Sequence, residues 1–375
     1  MSAGFMPSVI RIFPNGEVDV DDKFYTSVMA PYAGAFFRSR FRAAASNYEK
    51  WFSSYQSPDD PESKDLLTRL ERPFFDEFGI SLEEFVRIVH RLRRLALSRQ
   101  ELLLRFDEST LMCFLKAECS LDGGRAARFL CRFSLPPRRA WNKDLPHGCT
   151  ENDVWPWRFR RRLSLLLRPL VQLTQGSKSR WLVHAPLVER SSSYLLNGLC
   201  HAAFATEHFS AESMRQFCGE VANEQGHRFA GAVGDHLEEL GYDTKREIAM
   251  TALGASALLG DLGDVDVMAW KAESNEVLII ECKHLRIAAS VRDVVDRLEE
   301  YRGERDDSLG KHLRRFNWLK ANSCHVSALT GIPTGAIQFR GLLVTDELVP
   351  MQFFTGAAIM PQDVVSFVQL KDVLK

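Results

Sequence analysis

The 375-residue chain has no run of about 18 consecutive apolar residues, so nothing in it reads as a membrane span. Its start, MSAGFMPSVIRIF, lacks the basic stretch and long apolar run of a secretion signal. Charge of one sign is also lacking. A net charge of -1 excludes a global pull toward nucleic acid or a membrane and leaves only local patches. The eight cysteines (113, 119, 131, 149, 200, 218, 282 and 324) contain no CxxC pair and no Cys/His spacing that closes a zinc tetrahedron. They read as reduced, mostly buried thiols of a cytoplasmic protein. No GxSxG elbow, P-loop, internal repeat or low-complexity tract is present, which removes the commonest hydrolase and nucleotide-binding signatures. His201 and His208 share a helix face without a companion acidic pair and read as packing residues.

At this length one hydrophobic core normally stops growing, so two domains are expected, with the boundary at 205/206. The first, residues 1–205, reads as a mainly helical accessory or recognition region. In SLEEFVRIVHRLRRLALSRQELLLRF the residues Leu82, Phe85, Ile88, Val89 and Leu92 share a face, and Ser81 with Glu84 forms a capping box that starts the helix. Residues 121–190 are less regular, rich in proline and tryptophan, and basic by about nine charges. A phosphate-tracking surface, with Arg158, Arg160 and Arg161 as candidates, and a solvated rim around buried tryptophans remain equally open readings.

From Ser210 the pattern is more legible. A helix over about 211–240 stops at Gly241, and a strand TKREIAM follows. The strands GDVDVMAW and VLIIECK are joined by the turn KAESNE. Helices over about 291–302 and around HLRRFNWLK precede a final strand FRGLLVTD. The order is that of a compact α/β unit around one small sheet.

Alternate residues of a strand face one side, so Asp264 and Asp266 point together, as do Glu281 and Lys283 on the partner strand. The short turn brings these pairs to one surface. Clustered carboxylates repel unless a cation or proton neutralises them, and a hard divalent ion with oxygen ligands supplies that charge. Such an ion also acidifies a bound water and offsets charge on an attacked phosphate, while a nearby amine positions the water or counters the charge. Phosphodiester hydrolysis is the reaction class that uses this set.

The arrangement Asp266-x14-Glu281-x-Lys283, with its wording GDVDVMAW…EVLIIECKH, resembles the PD-(D/E)xK nuclease superfamily over about residues 211–350. The resemblance implies a restriction-endonuclease-like fold over 206–375: a small mixed central sheet flanked by helices. It implies Mg²⁺, with Mn²⁺ as a substitute, held by Asp266, Glu281 and the backbone carbonyl of Cys282. Lys283 would be the catalytic lysine, and Asp264, Glu224 and His284 candidates to support the ligands. Many relatives carry G-x-x-F-E on the first helix. Here that pattern ends in Ala230 after Gly226 and Phe229, which puts two-metal chemistry in doubt. Glu224 is on the same helix but about 120° round from position 230. Tyr301 is not preceded by glutamine at the position four before it, which is Arg297, so the RecB-like subgroup is not supported.

Val291, Val294, Val295, Leu298 and Tyr301 form an apolar stripe and read as core. Lys311, Arg314 and Arg315 beside Trp318 are candidates for contact with a nucleic-acid backbone, a solvated helix face being the other reading. The resulting expectation is a metal-dependent endonuclease acting on DNA in preference to RNA. Accessory regions fused to such domains are common in anti-phage and plasmid-defence proteins, so the resemblance extends to defence, with a homodimer or partner subunits of a larger system. An RNA- or structure-specific nuclease and a catalytically weakened binding or scaffold subunit stay open as alternatives.

Overall fold

The computed structural model describes residues 10–12, 14, 18–20, 23–38, 61–140, 142–146, 148–155, 161–175, 178–255, 262–285, 291–304 and 307–374. The chain divides into two units. One joins Met1–Tyr55 to Gln225–Lys375, and the other is the intervening Gln56–Glu224. This differs from the expected boundary at 205/206: the break falls inside a helix, and the first segment groups with the last.

The first segment contributes strands β1 (Ile10–Ile12) and β2 (Val18–Val20), which pair antiparallel. A helical stretch α1 (23–38) follows, whose Tyr25–Met29 portion is π-helical. Its Val28 and Tyr32 are buried beside residues from the far end of the chain, which explains the grouping.

The intervening unit opens with α2 (Pro61–Phe78) and α3 (Leu82–Arg99). The capping box expected at Ser81 and Glu84 is present, and Gln100 ends α3 in a left-handed conformation. Then come β3 (Leu103–Asp107), α4 (Glu108–Cys119), α5 (Gly123–Phe133), β4 (Ser134–Leu135), β5 (Leu170–Gln175), β6 (Lys178–His184) and α6 (Ala185–Cys200). The four strands form one sheet in the order β3-β6-β5-β4. The region is mainly helical, as expected, but it also carries this four-stranded sheet, which the expectation did not include. The segment LLRFD follows α3 almost directly, so its apolar residues read as a continuation of the helix, whereas its alternating burial is that of a strand. The core is aromatic, with Phe74, Phe85, Phe129 and Phe133 in ring contact.

The unit that includes Gln225–Lys375 follows the expected order. Helix α7 (Glu212–Glu239) crosses into it and stops before Gly241, whose φ of 81° is readily adopted only by glycine. Next are β7 (Asp243–Ala249), β8 (Asp264–Lys271), β9 (Glu276–Lys283), α8 (Val291–Glu300), α9 (Ser308–Ala321), α10 (Ser323–Thr330), β10 (Gln338–Thr345), β11 (Val364–Ser366) and α11 (Leu370–Val373). The sheet runs β11-β10-β9-β8-β7. Strands β7, β8 and β9 are antiparallel, while β9, β10 and β11 are parallel. A turn of 3-10 helix closed by left-handed Asn275 makes the β8–β9 hairpin.

Strand β9 is interior to this sheet and buried on both faces, which is why its sequence is a continuous apolar run rather than an alternation. On one face Ala230, Val233 and Leu237 of α7 pack with Val267, Ile280 and Val344. Leu343 packs with Val294, Leu298 and Tyr301 of α8 and Leu309 of α9, joined by Val28 and Tyr32. Leu319 of α9 and Val326 of α10 cover Met268, Val277 and Ile279. Each such aliphatic side chain contributes about 1.5–3 kcal/mol on burial. Helix α9 is thereby fixed against the sheet. Among the described residues no helix is long and apolar enough to cross a membrane.

Candidate metal centre on the central hairpin

The β8–β9 ladder runs from Lys271↔Glu276 to Val267↔Ile280 and stops there. One step further in the same register, Asp266 faces Glu281. On its other side, the β7–β8 ladder pairs Arg246↔Val267 and Ile248↔Val265 but skips the position between them. The residue across from Asp266 is Glu247, whose φ of 51° is left-handed and costs about 1–3 kcal/mol for a side chain other than glycine. Asp266 thus sits where both ladders are interrupted. Its Oδ2 accepts a hydrogen bond from the Cys282 amide at 2.7 Å, which replaces a ladder bond and fixes the carboxylate beside β9.

Glu281 is 4% exposed and carries an unusual share of cations. Lys283 Nζ lies 2.8 Å from Oε1. The Arg315 guanidinium of α9 donates to Oε2 through Nη2, and its Nη1 donates to the Leu262 carbonyl at 2.9 Å. His312, one turn earlier on α9 and 1% exposed, places Nδ1 3.8 Å from the same Oε2. Its buried Nε2 has no hydrogen-bond partner among the described residues. The three residues expected to meet, Asp266, Glu281 and Lys283, are brought together. Arg315 and His312 join them.

Burial first, and then the charge of Glu281, push the Asp266 carboxyl up to about 6, against the opposing pull of the Cys282 amide, Lys283 and Arg315. Burial pulls the Lys283 ammonium down, but Glu281 overrides it and leaves the group above its ordinary value. Burial holds His312 down to about 4, so at neutral pH it adds no charge. With both carboxyls ionised, two negative charges face two positive ones.

Among the described residues no three His, Cys, Asp or Glu side chains converge to hold a metal. The centre offers two carboxyl groups, of which Asp266 is raised by burial and by the charge of Glu281, and each carboxylate oxygen of Glu281 keeps a lone pair beyond its present partner. That donor set fits one hard divalent cation and not two. Ala230, where relatives of the resembled superfamily carry a carboxylate, is buried among Val233, Leu237 and Val267. A charged side chain there would be desolvated in apolar surroundings.

A model of the family described as anti-phage protein Upx-like matches residues 1–370. The chain belongs to this family. No curated protein and no solved structure matches it. Membership in the Upx-like family gives the chain a defence role against phage and leaves its chemistry to the residues.

In this Upx-like chain the remaining expected residues fall in several places. Asp264 is exposed at the start of β8, in register with Ala249. Glu224 pairs with Arg69 of α2 at 2.6 Å. His284 pairs through Nδ1 with Asp346 at 2.7 Å, and Asp346 also accepts from the Leu285 amide and donates its own amide to the Lys283 carbonyl. Asp346 escapes notice in the sequence because it follows β10, far from the hairpin in the chain. Cys282 is tied in by its amide.

Lys311 is exposed and Arg314 half-buried, while Arg315 is buried on Glu281 and cannot track a nucleic-acid backbone from there, which corrects that expectation. Trp318 stacks on His325 at 5.9 Å. Arg161 is half-buried, and Arg158 and Arg160 lie outside the described residues.

Much of the basic stretch is structural. Arg125 pairs with Glu84, Arg162 with Asp153 at 2.6 Å and Arg139 with Asp144 at 2.7 Å, while Arg168 donates to the carbonyls of Cys131 and Ser134. Arg105, Arg138, Arg139 and Arg180 do line an open groove of about 1230 Å³ on the β3–β6–β5 sheet. The cysteines are less buried than expected: 113, 131 and 324 are exposed.

Proposed function

We propose that this member of the Upx-like family is a metal-dependent endonuclease of DNA, with Asp266, Glu281 and Lys283 as its cutting centre on a restriction-endonuclease-like unit. The observation that carries the reading is the meeting of the three side chains beside the break in the β8 ladders, with Lys283 2.8 Å from Glu281. The order α7, β7, β8, β9, then the helices α8, α9 and α10, then β10 has the helix and strand before the hairpin that the resemblance implies, and supports the same reading.

Asp266 and Glu281 would hold a single Mg²⁺ or Mn²⁺, which when bound supplies a more acidic water and neutralises charge on the attacked phosphate. The Cys282 amide orients Asp266, so that carboxylate is pre-set rather than searching rotamers. Lys283 stays protonated beside Glu281 and presents its charge to the phosphate oxygens as negative charge builds in the transition state. The defence setting matches the family.

The test is cleavage of double-stranded DNA, single-stranded DNA and RNA with Mg²⁺ or Mn²⁺. Wild type is expected to cut duplex DNA, and Lys283→Ala to lower the rate by roughly 10²–10⁴-fold. Undiminished cutting by Lys283→Ala would sink this centre. Cutting of RNA alone would keep the chemistry and change the substrate.

A further inference from the structure

Glu281 is buried, yet one of its two flanking cations comes from a helix 34 residues further along the chain. Arg315 could not have been placed there by sheet register, which fixes only Asp266 and Lys283. It is delivered by α9, and α9 is itself held against the sheet at Leu309 and Leu319. The guanidinium is pinned from two sides, by the Leu262 carbonyl and the Glu281 carboxylate. At 6% exposure it has exchanged water for these two partners, a burial that is tolerable only while the acid opposite remains charged. Every other described arginine of the same helix segment lies further out: Arg314 is half-buried.

We infer that Arg315 is the internal counter-ion of Glu281 and competes with a divalent cation for it, so that metal loading of the resting centre is held weak. The inference rests on the metal-dependent reading above. Its physical content is charge balance. Asp266 and Glu281 together carry two negative charges, and Lys283 and Arg315 already supply two positive ones. A doubly charged ion entering that balanced set meets little net attraction and must loosen one existing pair. Lys283 is covalently fixed to β9 two residues from Glu281, whereas Arg315 approaches the second oxygen from another element and is the partner whose withdrawal uncovers Glu281. Two cations that share one carboxylate are coupled reciprocally: whatever weakens the Arg315 contact tightens the metal, and the metal loosens α9.

The experiment is calorimetric titration of Mn²⁺ into the full chain. Arg315→Gln keeps a donor for the Leu262 carbonyl and removes the charge. It is expected to bind Mn²⁺ about tenfold more tightly than wild type. Arg315→Lys keeps the charge and is expected to stay within about threefold of wild type. Hydrogen exchange of wild type should show α9 less protected with saturating Mn²⁺ than without, a readout that survives even if Arg315→Gln fails to fold. Equal or weaker binding by Arg315→Gln, with wild type binding Mn²⁺ and α9 unchanged, would overturn the competition and leave the nuclease reading intact. Absence of Mn²⁺ binding by wild type and both variants would overturn the metal reading itself, and the competition with it.

Discussion

At the scale of single residues, the centre and its surroundings show how an ionised group is retained in a folded chain by its partners. Glu84 is the clearest case outside the centre. Burial acts against its charge, but the Ser81 amide and the Arg125 guanidinium outweigh it and hold the carboxyl below its ordinary 4.5. Because the folded value is depressed, the stabilisation is complete above about 4.5 and is lost as pH falls through the lower folded value. Glu84→Gln keeps the hydrogen bond of the capping box and loses the charge. It is expected to cost about 1 kcal/mol near neutral pH, with the difference from wild type shrinking below pH 4.5, as measured by urea unfolding across pH. A cost that persists unchanged at pH 3 would show that charge is not what Glu84 contributes. Arg125 does double duty here, since it also lies over the Phe75 ring at 5.4 Å.

At the scale of elements, α9 matters most, because it sets where His312 and Arg315 stand. Its start is tight. Asp307 caps it by accepting from the Gly310 amide at 2.6 Å, and a Cβ at position 310 would run into the backbone carbonyl of Glu304. In an unobstructed helix, alanine would improve on glycine by about 1 kcal/mol. Here Gly310→Ala is expected to destabilise by about 1–3 kcal/mol instead, because backbone rather than a movable side chain stands in the way. Guanidinium denaturation checks it, and a rise in stability would mean that the Glu304 carbonyl has room to yield.

The same helix marks the limit of what the sequence made legible. The hairpin was readable because β8 alternates, β9 is a continuous apolar run and Gly241 stops the preceding helix, all local signals. His312 and Arg315 carried a signal that was available but ambiguous. They occupy the stripe Leu309, His312, Arg315, Leu319, which is the buried face of α9, yet a charged helix position is by default read as solvated. Only packing against β9 reveals the carboxylate that receives them. The four-stranded sheet of the intervening unit was missed for a related reason: β3 begins three residues after Gln100, too soon for an apolar run to announce a change of period. The three-residue β11 is too short to show any period at all.

At the scale of the whole molecule, each unit has apolar clusters of its own. One cluster draws only on residues between Leu70 and Val221, and the others only on residues before Tyr55 or after Gln225. Phe85→Ala, in the centre of the first cluster, is expected to cost about 3–5 kcal/mol. Hydrogen exchange should then show protection lost across Gln56–Glu224 while β8 and β9 keep theirs. Equal loss in both regions would mean that the chain unfolds as one cooperative body.

The nesting of one unit inside the other has a consequence for how the chain is made. As it leaves the ribosome, Gln56–Glu224 is complete long before its surroundings are, and can fold at once. The apolar residues of α1, by contrast, must wait for Leu285, Val294 and Val364 to be synthesised, on the order of tens of seconds later at roughly 5–20 residues per second. Lys283 and Arg315 also arrive in that late interval. A nascent or prematurely ended chain that stops before Arg315 therefore carries no complete centre, so if the centre cuts nucleic acid, such fragments do not expose the host to it.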